Sequence, residues 1–139
     1  MSKLKVAMDP GAILPTRAHE DDAGLDIYSP IDAIVKPHSS VEIDTGIHVA
    51  IPRGFVGFLK SKSGLLFHHD ISTEGVVDSG YTGSIRVKVM NLGDFHHTIR
   101  CGEKITQLVI LPIITPEIEI VSNLEATERG DAGFGSTGR

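Results

Sequence analysis

Hydrophobic and polar residues alternate with a period of two in several short segments of the chain. Residues 41–44, 85–89 and 118–120 each place an apolar side chain at every second position. Such alternation is typical of β-strands that bury one face and leave the other in solvent. We therefore predict a half-buried strand at each of these three segments.

Two further segments, residues 47–51 and 108–111, carry more continuous apolar runs. Runs of this kind are typical of strands that are buried on both faces or held between subunits. Turn-forming pairs and triplets separate the predicted strands, among them Pro52-Arg53-Gly54 and Ser79-Gly80. Many short strands at this spacing favour an all-β fold of the jelly-roll or barrel type.

One short helix is predicted to begin near Ser63, with Ser63 as its N-cap and a length of one or two turns. The apolar pattern stops after residue 122, and residues 129–139 are rich in glycine. A segment of this composition cannot form a core alone and is either frayed or docked on another surface. We therefore predict one β domain over residues 1–122 and a C-terminal arm over residues 123–139.

The composition of the chain argues against a membrane protein, a disulfide-bonded protein and a nucleic-acid-binding protein. The chain has 139 residues, 22% of them charged, and a formal net charge of −5. It has neither the long apolar run of a membrane span nor the apolar core of a signal peptide, so we expect a cytoplasmic protein with no membrane partner. The single cysteine, Cys101, excludes an internal disulfide. The negative charge and the lack of a basic run argue against a nucleic-acid partner.

Three segments could bind an anion or position a reacting group. The glycine-rich tail combines free backbone N–H groups with hydroxyls, arginines and Phe134, which would suit a nucleotide lid. Residues 60–65 place lysines and hydroxyls where a strand meets the predicted helix, a favourable place for phosphate. Residues 75–83 are expected to place Asp78 and Tyr81 on the two arms of a β-hairpin, where they could position a water or a sugar.

Each of these segments also has a purely structural interpretation: a disordered terminus, a capped helix with solvated lysines, and an acidic turn with a packed tyrosine. Asp26 lies within a predicted strand, where an inward carboxylate is costly unless it is paired or near a metal. The pairs His68-His69 and His96-His97 are expected at the surface, because adjacent strand residues point to opposite faces and cannot easily chelate one ion.

In chain order, five segments of this sequence resemble the five motifs of the trimeric dUTPase family: residues 23–29 (AGLDIYS), 62–65 (KSGL), 75–83 (GVVDSGYTG), 102–108 (GEKITQL) and 129–138 (RGDAGFGSTG). The resemblance covers nearly the whole chain. It implies the jelly-roll-like β-clip fold of that family, with one short helix and a flexible C-terminal arm. It also implies a homotrimer with shared active sites, each covered by the arm of a neighbouring subunit.

The resemblance further implies roles for individual residues. Asp78 would orient the attacking water, with Gln107 assisting. The residues implied to bind substrate are Lys62, Ser63, Gly64, Ser72, Gly75, Val76, Val77, Tyr81, Arg129, Phe134, Gly135, Ser136 and Thr137. Asp26 would contact Mg²⁺ through water, with the ion held mainly by the triphosphate.

The reaction implied is the hydrolysis of dUTP to dUMP and pyrophosphate by in-line attack of water on the α-phosphorus. This activity limits uracil incorporation into DNA and supplies dUMP for thymidylate synthesis. Two residues depart from the family pattern. Lys62 stands where arginine is common, which loses the bidentate fork. Ala132 stands where glycine is common, which would strain the arm if that position needs a positive φ.

Two alternatives to this activity share features with the sequence. A dCTP deaminase-like enzyme has the same fold and would need a catalytic glutamate, for which Glu74 is the candidate. A non-catalytic protein of the same fold would bind nucleotide or a protein partner without turnover.

Overall fold

The computed structural model describes residues 3–135, and most of the secondary structure is antiparallel strand. In chain order the elements are β1 (Lys5–Met8), β2 (Gly24–Tyr28), β3 (Ala33–Val35), β4 (Ser39–Asp44), β5 (Ile47–Ala50), β6 (Phe55–Lys60), α1 (Ser63–His69), β7 (Ile71–Val77), β8 (Arg86–Asn91), β9 (His97–Ile99) and β10 (Lys104–Pro112). The prediction of an all-β chain with one short helix is confirmed.

Six strands form the main sheet in the order β2-β10-β6-β7-β8-β4, while β1-β5 and β3-β9 form two smaller ladders. Every pairing is antiparallel, and the main sheet curls into the predicted jelly-roll-like architecture. Aliphatic side chains fill the interior, among them Ile27, Ile43, Val87, Val89 and Leu108. This curled sheet fixes the register that places the polar side chains described below.

Two of the three alternating segments are strands, as predicted. Residues 41–44 lie in β4, and residues 86–89 lie in β8, where Val87 and Val89 are buried while Lys88 is exposed. The two apolar runs are not buried on both faces within this chain. In β5, Ile47 and Val49 are buried while Ala50 is exposed, and in β10 the run ends with Leu111 exposed.

The strand predicted at residues 118–120 is absent. Ile118 and Ile120 are 94% and 93% exposed, and β10, the last strand, ends at Pro112. A strand forms only where a neighbour pairs with its backbone, and no described strand of this chain runs beside residues 113–135. The alternating pattern of residues 118–120 therefore does not produce a strand within the described part of the chain.

The helix α1 begins at Ser63, one residue earlier than a Ser63 N-cap would imply, so the prediction of Ser63 as N-cap is wrong. Lys62 is the N-cap, with extended φ −73° and ψ 129°, and no side chain caps the helix. The Lys62 ammonium is bound to Asp26 instead. The seven-residue length agrees with the predicted one or two turns. Among residues 3–135 no helix has the length and apolarity needed to cross a membrane.

Candidate active site

A row of polar side chains crosses one face of the main sheet. Asp26 on β2 is the cross-strand partner of Gln107 on β10, which is also the partner of Lys60 on β6, and Lys60 in turn faces Glu74 on β7. Residues directly opposite each other on antiparallel strands point to the same face. We call Asp26, Lys62, Ser63, Gly64 and Gln107 the Asp26 end of the site.

Asp26 is a buried carboxylate with two cationic partners. Its side chain is 3% exposed, its Oδ1 lies 2.5 Å from Lys62 Nζ, and its Oδ2 lies 3.1 Å from Lys104 Nζ. Burial acts to raise the pKa of Asp26, but the hydrogen bonds and charges of Lys62 and Lys104 outweigh burial and hold that pKa below its usual value. The sequence-based expectation that an inward acid here needs a partner is thus confirmed.

A β-bulge in β10 brings Lys104 onto the face of Asp26. Lys104 pairs with Tyr28 and Gln107 pairs with Asp26, with the register shift between Lys104 and Thr106. Residues three apart on a regular strand point to opposite faces, and the extra residue of a bulge removes that difference. Lys104 lies in the fourth motif, but the sequence predicts no role for it, because the pairing of β2 with β10 cannot be derived from the local pattern.

Gln107 is fixed in place by two neighbours. Its Nε2 donates a hydrogen bond to the Ser61 carbonyl at 2.8 Å, and Ser61 Oγ accepts the main-chain N–H of Thr73 at 3.0 Å. The Gln107 side chain also lies directly over Gly24, where any Cβ would collide with it. The Gln107 amide therefore ties β10 to the segment that leads into α1, and its Oε1 stays available as an acceptor.

Asp78 and Tyr81 lie in one loop, residues 78–85, between β7 and β8. The prediction that they stand on two arms of a hairpin is therefore wrong. The Tyr81 N–H donates to the Asp78 carbonyl at 3.2 Å, and Gly80 takes a left-handed φ of 85°, which turns the chain. Tyr81 Oη donates to the Ser84 carbonyl at 2.8 Å, which holds the ring beside Gly83.

The loop borders an open part of β7. Strand β8 pairs with β7 only at Ile71, Ser72 and Thr73, so the edge of β7 from Glu74 to Val77 that faces β8 has no strand partner in the described chain. A cavity of about 170 Å³ lies there, lined by Gly75, Val76, Val77, Tyr81, Ser84 and Arg86 among others. Main-chain donors and acceptors thus border a small pocket with an aromatic wall. We call residues 72–81 the Asp78 end of the site.

Asp78 and Gln107 are far apart within one chain, although the start of β7 approaches Gln107 through Ser61. Gln107 lies in register with Glu74 through β6, whereas Asp78 follows Glu74 by four residues. Strand geometry places Asp78 about 13 Å farther along the sheet and about 10 Å across it from Gln107. The side chains of Asp78 and Gln107 in one chain therefore cannot meet at a single atom of a ligand.

Part of the predicted arm is described. Arg129 Nε donates to the Ala132 carbonyl at 2.6 Å, and the Phe134 ring is fully exposed. Ala132 does not have a positive φ, so the expected strain at this position is not present. The residues of the arm with a positive φ include Phe134, at 38°, and Gly135, at 96°. Ser136 and Thr137 lie outside the described residues. None of the predicted arm residues that are described is placed against either end of the site in this chain.

The remaining candidate groups do not form a second centre. Glu74 is exposed and paired with Lys60 at 3.1 Å. The rings of His69 and His97 approach to 5.2 Å across α1 and β9, while His68 and His96 are exposed. Within residues 3–135, no group of three or more His, Cys, Asp or Glu is placed to hold a metal ion.

Comparison with known sequences identifies the family. A family profile described as dUTPase matches residues 11–138. The chain belongs to the dUTPase family. A deoxyuridine 5'-triphosphate nucleotidohydrolase of Clostridium kluyveri is 43% identical over 141 residues, which cover 99% of each protein. A probable deoxyuridine 5'-triphosphate nucleotidohydrolase of Schizosaccharomyces pombe is 40% identical over 128 residues, 91% of each.

Solved structures agree with this family assignment. A variant of the Staphylococcus bacteriophage 80alpha dUTPase with dUpNHpp superposes with a TM-score of 0.94 at 31% identity, over 100% of both chains. A variant of the dUTPase from phage phi11 of S. aureus, whose structure describes the coordination of a structural Mg(II) ion, superposes with a TM-score of 0.83 at 30% identity, over 89% of this chain and 99% of that one.

Proposed function

We propose that the chain hydrolyses dUTP to dUMP and pyrophosphate, by in-line attack of water on the α-phosphorus. The observation that carries the proposal is the unpaired edge of β7 beside Tyr81, in a chain of the dUTPase family. A small pocket with main-chain donors and acceptors suits a planar base that is read by hydrogen bonds. The product dUMP is available for thymidylate synthesis, and removal of dUTP limits uracil in DNA.

The Asp78 end binds the nucleoside in this proposal. Main-chain groups from Ser72 to Val77, with Gly75 and Val76 between them, pair with the uracil edge. The Tyr81 ring packs against the deoxyribose and leaves no room for a 2′-hydroxyl. The Asp78 carboxylate, exposed in the loop, accepts a hydrogen bond from the attacking water and directs it at the α-phosphorus.

The Asp26 end binds the phosphates. Ser63 and Gly64, at the start of α1, hold the α- and β-phosphates, and Lys62 adds positive charge. Two features support this role: no side chain caps α1, and the space around Gly64 is open. Gln107, fixed by Ser61, has a free Oε1 that helps to position the water.

Asp26 is the one residue of this site that would contact a magnesium ion, through water, while phosphate oxygens would hold the ion. The chain offers no cage of three ligands within residues 3–135, which suits an ion that keeps its waters and binds mainly to phosphate oxygens. Asp26 fits a contact through water, since a carboxylate has about four lone-pair sites and its ammonium partners occupy two. When bound, Mg²⁺ neutralises charge on the departing pyrophosphate.

The site is completed by other copies of the chain. Asp78 and Gln107 are both assigned to the α-phosphate and its water, yet they lie too far apart in one chain to meet there. We therefore propose a homotrimer in which the Asp78 end of one subunit faces the Asp26 end of the next. The exposed apolar residues after β10, Ile113, Ile114, Ile118, Ile120 and Leu124, supply a surface for this assembly.

The C-terminal arm, residues 123–139, closes over a neighbouring site. Arg129, Ser136 and Thr137 hold the γ-phosphate, Phe134 covers the uracil, and Gly135 between them also contacts the substrate. The full exposure of Phe134 supports this role, because a large aromatic ring that packs against none of residues 3–135 is available to stack on a ligand.

Pyrophosphate release tests the proposal. The intact chain and Asp78→Asn are assayed with Mg²⁺ and dUTP, in parallel with dTTP, dCTP and UTP. We expect turnover of dUTP alone and a loss of at least about a hundredfold in Asp78→Asn. Ammonia from dCTP would instead indicate a deaminase, and binding of dUTP without pyrophosphate release would indicate a non-catalytic protein.

A further inference from the structure

The buried carboxylate of Asp26 has more positive charge around it than it needs. One ammonium group suffices to balance one carboxylate, but Lys62 and Lys104 both contact Asp26, one at each oxygen. No other carboxylate lies within ion-pair distance of either lysine in the described chain. The cluster of Asp26, Lys62 and Lys104, which we call the lysine pair cluster, therefore has a formal charge of +1.

The acidic residue next to Lys104 does not cancel this charge. Glu103 Oε1 accepts the main-chain N–H of Arg100 at 3.2 Å, so the Glu103 carboxylate faces the turn before β10. The excess charge also stays near solvent: the Lys62 and Lys104 side chains are 27% and 43% exposed, whereas that of Asp26 is 3% exposed. The positive side of the cluster is thus the side that a ligand can reach.

The bulge in β10 causes the excess positive charge of the lysine pair cluster. It brings Lys104 to the face of Asp26, next to Gln107, although a regular strand would point Lys104 away. A buried acid with a single lysine needs no such irregularity. Moreover, the protein as a whole carries a net charge of −5, so a polyanionic ligand depends on local positive charge.

We infer that Lys104 is a positioning residue for the polyphosphate: by balancing the charge of Asp26 from the far oxygen, it leaves the positive charge of Lys62, which stays bound to Asp26, uncancelled and able to attract phosphate. This inference rests on the proposed function, since it assumes that the Asp26 end binds the phosphates. Without Lys104, Asp26 and Lys62 form a neutral pair. The effect of Lys104 should therefore grow with the number of phosphates on the ligand.

Binding of two ligands to the full-length chain tests the inference. We would measure the affinity of dUpNHpp and of dUMP, with Mg²⁺, by calorimetry for the intact chain, Lys104→Met, Lys104→Arg and Lys88→Met. Lys88 is a matched control: an exposed strand lysine opposite Glu42 on β4–β8, three strands from β10 in the sheet. Its loss changes the net charge by the same amount.

In Lys104→Met we expect dUpNHpp to bind about tenfold more weakly, dUMP to change by less than about twofold, and KM for dUTP to rise with kcat nearly constant. Lys104→Arg should restore dUpNHpp affinity, and Lys88→Met should leave both ligands unaffected. Equal weakening of both ligands, no rescue by arginine, or an equal effect of Lys88→Met would overturn the inference.

The test of the role of Lys104 can be distinguished from the test of dUTP hydrolysis. If the intact chain binds dUpNHpp but releases no pyrophosphate from dUTP, the proposed hydrolysis is refuted, while the comparison of dUpNHpp with dUMP still decides the role of Lys104. If the intact chain does not bind dUpNHpp at all, both are refuted. Thermal unfolding of each variant separates a binding defect from loss of the fold, and Lys104→Gln replaces Lys104→Met if the latter is unstable.

Discussion

Gln107 lies so close to Gly24 that a Cβ at Gly24 would be 1.9 Å from Gln107 Oε1. Because Gly24 has no side chain, Gln107 can occupy this space while its amide donates to the Ser61 carbonyl. Because Gln107 Cβ is also within 2.9 Å of that position, the conflict cannot be resolved by the end of the side chain alone. Gly24 is required for the geometry of Gln107, although Gly24 itself offers no functional group.

Gly24→Ala is expected to lower both stability and activity. Overpacking of this kind costs about 1–3 kcal/mol of unfolding free energy. The displacement of the Gln107 side chain should also lower kcat for dUTP about tenfold or more. A double-mutant cycle with Gln107→Ala checks the cause: Gly24→Ala should cost less stability in that background, and additive effects of the two substitutions would contradict the explanation.

Gly83→Ala is expected to relax the discrimination between dUTP and UTP. A Cβ at Gly83 would lie 2.6 Å from Tyr81 Oη, so the ring must move. Since the displaced atoms are at the end of the Tyr81 side chain, stability should change by less than about 1 kcal/mol. The ratio of kcat/KM for dUTP to that for UTP should fall about tenfold. An unchanged ratio would mean that the Tyr81 ring does not exclude the 2′-hydroxyl.

His48 and His97 should change stability with pH in opposite directions. A hydrogen bond to the Thr82 carbonyl and contact with Asp9 raise the pKa of His48 above 6.5, so its contribution is full below pH 6.5 and is lost as pH rises through the folded-state pKa. Burial, with His69 nearby, lowers the pKa of His97 below 6.5, although Glu103 opposes the shift. Its contribution is present above pH 6.5 and is lost as pH falls through the folded-state value.

Chemical denaturation from pH 5 to pH 8 checks these signs. The stability of the intact chain relative to His48→Gln should decrease as pH rises, whereas its stability relative to His97→Gln should increase. The remaining histidines are common to each comparison and cancel. Slopes of the same sign for the two variants would contradict the assignment.

Two inactive variants should complement each other. Asp78→Asn and Gln107→Ala, unfolded together in equal amounts and refolded, should form mixed trimers if the chain assembles as proposed. If Asp78 and Gln107 of one site come from different subunits, about a quarter of the sites carry neither substitution and activity returns to about that fraction. Each variant refolded alone serves as the control. No recovery in the mixture would mean that one subunit supplies both residues.

The local hydrophobic pattern is enough to predict a strand where the strand pairs and packs within the same chain. The alternation at residues 86–89 identified β8 because Val87 and Val89 pack inward against the same chain. The same kind of alternation does not give a strand at Ile118 and Ile120, because no described strand lies beside them and both side chains stay exposed. The period of the hydrophobic residues predicts which face of a strand is apolar, but not which residues cover that face.

The site could be predicted only in part for a related reason. Each motif lies in a local segment, so the sequence names Asp26, Lys62 and Gln107 as separate candidates. Their grouping depends on the register of β2, β10 and β6, which is set by contacts distant in sequence. The bulge that adds Lys104 has no local signature in the sequence, and the loop that holds Asp78 and Tyr81 together was mistaken for a hairpin because glycines favour both.

The exposed aliphatic residues after β10 also bear on how the protein is made. Residues 113–124 are the part of this structure with the most isoleucine and leucine in contact with water, and they follow every strand of the sheet. They therefore leave the ribosome after the whole sheet has been synthesised. The described segment richest in exposed aliphatic side chains is therefore exposed for a shorter time during synthesis than it would be at the start of the chain, which lowers the risk of misfolding.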